Sequence, residues 1–236
     1  MYRERYEDWR HVFKLDPDRE IDDELLDRLC LSGTDAIMVG GSSGVTFEKV
    51  VDLLARIRRY EVPCALEVSD LEAAVPGYDL YLIPMVLNTS RTEWLTGKQV
   101  EGLQAYGSYI PWENTAAEGY LILNPDAEAA RLTGADCGLD AAAAMAHVRL
   151  ADRLMRLPIV YVEYSGRFGD MKLVAQAAEL VTQARLFYGG GIDSASKAAE
   201  AAAAAHTVIV GNVVYEDPEA ALATVAAVRD TAFARN

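Results

Sequence analysis

The sequence predicts an α/β protein built as a closed parallel (β/α)8 TIM barrel. Three observations carry that expectation. Short β-rich runs alternate with longer runs of helical period, the order of a parallel sheet with crossover helices. The strand runs are apolar without clean alternation, as expected when both faces are covered. The chain of 236 residues matches the roughly 250 of that fold. An open doubly wound sheet is the main competitor, and eight strand–helix units disfavour it. Pro and Gly are scattered, so 1–236 reads as a single domain with no interdomain linker.

The elements follow in order. Residues 11–15 form the first strand, and 22–31 a helix with Asp22 as N-cap. Residues 36–39 are the second strand. Thr46 caps a helix whose stripe is Phe47, Val50, Val51, Leu54 and Ile57. Strands three and four occupy 63–68 and 80–83. The segment between them is about as short as a crossover can be, helix included. The third helix is therefore expected to be reduced to a turn or short extended piece. A helix covers 93–106, with Leu95, Gln99, Gly102 and Tyr106 on one face. Strand five is 119–123, followed by a helix at 139–155. Strand six is 159–163, followed by a helix at 170–183. Strand seven is 186–188, and an Ala-rich helix runs to Ala205. Strand eight is 207–210. Asp217 and Pro218 open the last helix.

Composition excludes several functions. There are 22 Lys+Arg against 36 Asp+Glu, a formal net charge of −14. A surface this acidic gives no footprint for nucleic acid and no simple electrostatic docking on anionic lipid. Half the residues are hydrophobic, so a large core is available. Cys30, Cys64 and Cys137 are far apart, odd in number and not in metal-ligand spacing, which fits a reducing cytosol. The first nine residues lack the apolar run of a signal peptide, and no stretch approaches the ~20 apolar residues of a membrane span. A cytoplasmic protein is expected. Transient contact with a membrane stays open, because a soluble protein can still handle a lipid.

In such a barrel, function sits where strands end. The seventh strand ends in Tyr188-Gly-Gly-Gly191 and the eighth in Val210-Gly211-Asn212. Those two loops are the common phosphate site of the fold, where backbone N–H groups approach an anion closely. The sixth strand ends in Tyr161-Val162-Glu163-Tyr164-Ser165-Gly166. Alternation sends Tyr161, Glu163 and Ser165 one way and Tyr164 the other. A carboxylate at a strand end is costly to bury unless it serves a ligand, the bland alternative being a pair with an arginine. Lys14 and Asp16, two apart at the end of the first strand, can both enter the mouth and hold a phosphate and a Mg²⁺ ion. A structural Lys–Asp pair fits them equally well. Gly40-Gly41-Ser42-Ser43-Gly44 after the second strand is a second anion cradle or a plain junction. His11, His147 and His206 show no ligand spacing. Two anion sites across one mouth point to a reaction between two phosphorylated substrates.

Phe13-Lys-Leu-Asp-Pro17, Val39-Gly-Gly-Ser42, Tyr161-Val-Glu-Tyr-Ser-Gly166, Phe187-Tyr-Gly-Gly-Gly-Ile192 and Val210-Gly-Asn212 closely resemble the geranylgeranylglyceryl phosphate synthase family, above all its bacterial heptaprenylglyceryl phosphate synthase (PcrB-type) branch. The motifs occur in order over nearly the whole chain. The resemblance implies a homodimeric, Mg²⁺-dependent prenyltransferase of archaeal-type ether lipid synthesis. It would join sn-glycerol 1-phosphate to a long polyprenyl diphosphate. By motif, Lys14, Tyr161, Val162, Glu163, Tyr164, Ser165, Gly166, Gly191, Gly211 and Asn212 bind glycerol phosphate, with Glu163 and Tyr164 at the chemistry. Asp16 and Ser42 sit at the Mg²⁺ site, Ser42 standing where related members have Thr. Gly102 would leave a tunnel open for a chain longer than geranylgeranyl. The competing readings are a barrel enzyme acting on a small sugar phosphate, and a non-catalytic interaction subunit.

Overall fold

The computed structural model describes residues 6–234, so residues 1–5 and 235–236 of the expected domain lie outside the described residues. Eight parallel strands close into a barrel in sequence order: β1 (His11–Leu15), β2 (Ala36–Val39), β3 (Cys64–Glu67), β4 (Leu80–Val86), β5 (Thr115–Ile122), β6 (Ile159–Glu163), β7 (Arg185–Gly189) and β8 (Thr207–Val210). β8 pairs back onto β1, with His11 opposite Val208. Alternation divides each strand. Val12, Met38, Ala65, Leu82, Tyr120, Tyr161, Phe187 and Ile209 pack together in the lumen. Phe13, Ile37, Leu66, Val162, Tyr188 and Val210 pack outward against the helices.

The helices start where short polar side chains can take up their free N–H groups. Asp22 accepts from Leu25 ahead of α1 (Asp23–Leu31), and Thr46 from Lys49 ahead of α2 (Phe47–Ile57). α3 is Lys98–Tyr106, α4 Glu128–Thr133, α5 Ala141–Arg149, α6 Met171–Leu180 and α7 Ala195–Ala204. A four-residue α8 (Val213–Glu216) precedes α9 (Pro218–Asp230), which Asp217 caps through the Ala220 N–H.

Between β3 and β4 there is no helix, as expected from the length of the segment. Its turns close on one phenol. The Tyr81 hydroxyl accepts from the N–H groups of Gly77 and Tyr78 and donates to the Val75 carbonyl.

Several expectations need correction. β4 runs on to Val86 through Pro84, because beyond Leu82 it pairs with β5 alone. The Pro84 carbonyl takes a hydrogen bond from the Gln99 amide instead. β5 begins at Thr115, earlier than its alanines indicate. α4 and α8 were not expected. The 93–106 helix starts with a wide π-turn at Glu93–Gly97, which shifts the register, and Tyr106 is 45% exposed. Leu95 lies in the π-turn, while Gln99, Gly102 and Tyr106 keep helical spacing within α3. A second π-turn, Leu150–Met155, ends the helix after β5.

Candidate active site

The strand ends converge on one mouth, and a buried polar cluster lies just beneath it. Lys14 of β1 points into the lumen. Its ammonium donates to Glu67 Oε2 at 2.5 Å and to the Tyr120 hydroxyl at 3.3 Å. The Tyr120 hydroxyl donates to Glu67 Oε1 at 2.6 Å, closing a triangle. An ammonium has three N–H donors, so this triangle leaves one for a ligand. The Tyr120 and Tyr161 rings lie 5.9 and 5.8 Å from Lys14 Nζ. Burial works against the lysine charge, but Glu67, Glu163 and Glu118 outweigh it and hold the pKa above the usual lysine value.

Glu67 ends β3, and its place depends on Gly40. A Cβ on Gly40 would lie 2.9 Å from that of Glu67. The first glycine of the expected second cradle thus makes room for a carboxylate. Glu118 of β5 is fully buried, and neither carboxylate oxygen has a hydrogen-bond partner among the described residues. Burial, with Glu67 nearby, pushes its pKa well up.

Glu163 ends β6, 6% exposed, and no arginine pairs with it among the described residues. It accepts from the Ser165 N–H at 2.7 Å and shares a hydrogen bond with the Tyr161 hydroxyl. Burial pushes its pKa up to about 7, against the pull of Lys14. A carboxyl poised there can take up and release a proton near neutrality.

Asp16 lies at the opposite side of the mouth. Its Oδ1 accepts from the Asp18 N–H, and its backbone N–H and carbonyl both bond the Tyr215 hydroxyl of α8. Its carboxylate lies against Gly41, where a Cβ would fall 2.5 Å from Oδ1. The first- and second-strand loops therefore meet, bringing Asp16 beside the segment that carries the exposed Ser42. Burial raises the Asp16 pKa. Among the described residues no group of three or more His, Cys, Asp or Glu forms a metal cage. One carboxylate and one hydroxyl, both hard oxygen donors, fit Mg²⁺ that completes its shell with water and substrate phosphate.

The loops after β7 and β8 flank β6 and β1. Gly191 takes a left-handed φ of 54°, and a Cβ there would lie 2.1 Å from the Phe168 backbone nitrogen. Gly211 is roomier, 3.7 Å from the Lys14 carbonyl by the same measure. Arg19 stacks on Tyr215, its guanidinium carbon 3.9 Å from the ring centre, and reaches Asn212 Oδ1 at 3.4 Å.

The expected sixth-strand set divides. Tyr161 and Glu163 face the lumen. Ser165 and Gly166 are exposed in the loop, where the Asn124 amide donates to the Ser165 carbonyl. The Val162 and Tyr164 side chains pack in the outer layer, and the Tyr164 hydroxyl faces the Asp170 backbone. Any contact they make with a ligand in the mouth is through the backbone. Gly102 of α3 is half-buried, and a Cβ there would meet Leu71 of the β3–β4 connection at 3.0 Å. His11 lies at the barrel floor between Thr34 and Thr224, its pKa lowered to about 3 chiefly by burial.

Glu67, Glu118, Tyr120, Arg19 and Asn124 escaped the sequence reading. For Glu67 a signal existed: it is an acid at a strand end, as Glu163 is.

Residues 4–229 match the PcrB family. The chain is 55% identical over 228 residues to the heptaprenylglyceryl phosphate synthase of Geobacillus kaustophilus, covering 97% of this chain and 95% of that one. It is 54% identical over 228 residues to the protein of the same name from Brevibacillus brevis, covering 97% and 99%. Among solved structures, it is similar to (S)-3-O-geranylgeranylglyceryl phosphate synthase from Thermoplasma acidophilum in complex with sn-glycerol-1-phosphate. The TM-score is 0.82, at 21% identity over 94% of each chain. A tryptophan synthase from M. tuberculosis aligns with TM-score 0.58 at 16% identity over 94% of each chain. Those two likenesses speak for the barrel alone. The family match and the identity over nearly the full length of both relatives place this chain in the PcrB family.

Proposed function

We propose that the protein is a prenyltransferase that joins sn-glycerol 1-phosphate to a long-chain polyprenyl diphosphate, heptaprenyl diphosphate above all. The observation that carries this reading is the 55% identity, over nearly all of both chains, to a heptaprenylglyceryl phosphate synthase. The small-sugar-phosphate reading explains the glycine loops but not that identity.

The geometry supports a division of labour. Lys14, with one N–H left by its triangle, and the backbone of the loops at Gly191, Gly211 and Asn212 bind the glycerol phosphate group. Glu163 holds the attacking hydroxyl. The allylic C–O bond breaks, its electron pair leaving with diphosphate, and the glycerol oxygen forms the ether bond. The hydroxyl proton passes to Glu163, whose pKa of about 7 suits that role. Asp16 and Ser42 would hold Mg²⁺, which when bound supplies positive charge to the departing diphosphate. The buried Tyr161 hydroxyl orients Glu163. Gly102 and Leu71 lie along the path of the prenyl chain.

A homodimer in the cytoplasm completes the reading. No described helix is long and apolar enough to cross a membrane. Light scattering should give twice 25.8 kDa. The central test is mass spectrometry of product formed from labelled sn-glycerol 1-phosphate and a mixture of prenyl diphosphates. Heptaprenylglyceryl phosphate is the expected main product. Failure to form any prenyl ether would return the protein to the sugar-phosphate reading.

A further inference from the structure

We propose that Tyr188 is a positioning residue for glycerol phosphate: its buried hydroxyl ties the loop after β6 to the loop after β7 and so fixes the spacing between two walls of that site. This rests on the glycerol phosphate reading above and adds a residue that touches neither substrate.

Tyr188 lies on β7 with its side chain outside the lumen and fully buried. Its hydroxyl accepts from the Gly169 N–H at 2.9 Å and donates to the Gly190 carbonyl at 2.8 Å. Gly169 belongs to the loop that begins at Tyr164, and Gly190 to the glycine loop. One oxygen therefore joins the backbones of two separate loops. Burial raises the phenol pKa, so the proton needed by the Gly190 carbonyl is always present.

The two loops are also in direct contact. A Cβ on Gly190 would fall 2.5 Å from that of Tyr164, and one on Gly191 2.1 Å from the Phe168 nitrogen. The Tyr164 N–H donates to the Gly189 carbonyl at 2.7 Å. The Tyr164 and Phe168 rings pack on the Tyr188 ring, with centroids 6.4 and 6.1 Å away. The glycines let the loops nest, and the phenol sets how closely. Tyr215 offers a contrast. Its hydroxyl bonds the N–H and carbonyl of the same residue, Asp16, so it fixes one residue and not the gap between two loops.

A phosphate held by backbone N–H groups needs those groups at fixed positions. Small errors of placement in such sites are costly in binding and rate. Loss of the Tyr188 hydroxyl should therefore be felt by one substrate and not the other.

The test is Tyr188→Phe in the full-length enzyme, which keeps the packed ring and removes only the oxygen. Steady-state kinetics are run with each substrate varied in turn. Calorimetry with sn-glycerol 1-phosphate alone gives a reading independent of turnover. Thr224→Val, which removes a buried hydroxyl at the barrel floor, is the comparison for a purely structural loss.

For Tyr188→Phe we expect KM and Kd for glycerol phosphate to rise about tenfold. KM for the prenyl diphosphate should stay within about twofold, and kcat within about threefold. Thr224→Val should lower Tm and leave both KM values unchanged. The proposal is overturned if Tyr188→Phe lowers Tm alone, or if it weakens both substrates equally. If instead the wild-type protein neither binds glycerol phosphate nor forms a prenyl ether, the functional reading itself fails. That outcome is visible without the variant.

Discussion

The two halves of the barrel mouth are built differently. On the β6–β7 side, loops are nested glycine against backbone, and the buried Tyr188 phenol completes their hydrogen bonds. On the β2–β4 side, Ser42, Ser43 and Gly44 are exposed, the third crossover has no helix, and α3 has no buried residue. The contrast matches two kinds of ligand. A small polar substrate is read by groups that must not move, because each misplaced donor weakens it. A long apolar chain asks only for covered hydrocarbon surface, which tolerates adjustment.

The strongest way to break the comparison is at Asp16, which sits at the boundary of the two halves. Asp16→Asn removes the carboxylate proposed for Mg²⁺, a contribution worth several kcal/mol. Turnover should fall about 10³-fold with an unchanged melting curve. Retained activity at saturating Mg²⁺ would detach the metal from this side.

Next comes Glu163. Glu163→Gln should lower kcat by about 10²-fold, the low end for general-base help, because a cation-like carbon asks little of its nucleophile. The wild-type rate should climb with pH through about 7 as Glu163 loses its proton, and the variant should show no such inflection. Stability runs the other way. The folded-state pKa lies above the ordinary value of 4.5, so the native state binds the extra proton between the two. Stability from this group is present below pH 4.5 and lost as pH rises through about 7. Denaturant titrations of wild type and variant across that window would show it. A loss of turnover under about threefold would make Glu163 structural.

A smaller effect sharpens the apolar half. Gly102→Trp should keep geranylgeranyl diphosphate as a substrate and lose heptaprenyl diphosphate, shifting the ratio of their kcat/KM values about tenfold. The indole would press on Leu71. An unchanged ratio removes Gly102 from the path. The smallest effect is expected of Gly211→Ala. There the added methyl has room, so only the approach of the phosphate is disturbed. Glycerol phosphate affinity should drop about threefold, about 0.7 kcal/mol by calorimetry, with prenyl diphosphate affinity unaltered. Gly191 would be a poor choice, since a side chain there collides with backbone whatever the ligand does.

The barrel was legible because its signals are local. Asp22, Thr46 and Asp217 cap the helices they were expected to cap, and the shortness of 68–79 left no room for a helix. The errors arose where tertiary context overrides local preference. Pro84 reads as a strand end until one sees that β3 has already stopped beside it. Ala116 and Glu118 read as anything but strand until the lumen takes them in. The site was legible in its motifs and not in its partners. Lys14 could serve a ligand or pair with Asp16 by its spacing, and its ammonium meets Glu67 from a strand fifty-three residues away. Tyr164, adjacent to Glu163, belongs by alternation to the other side of the sheet.

The helix-free link between β3 and β4 also bears on how the ring comes apart. A barrel whose strands are each locked by a packed helix would open all at once. Here the 68–79 stretch is held without a helix, by short-range turns, the Tyr81 phenol and Arg58, which bonds the Gly77 carbonyl and Asp79, while Ala73, Val75 and Tyr78 dock beneath it. Its amides should exchange with deuterium sooner than those of β6 and β7, through openings smaller than global unfolding. Mild heat or denaturant should loosen this link while the β6–β7 wall is still closed.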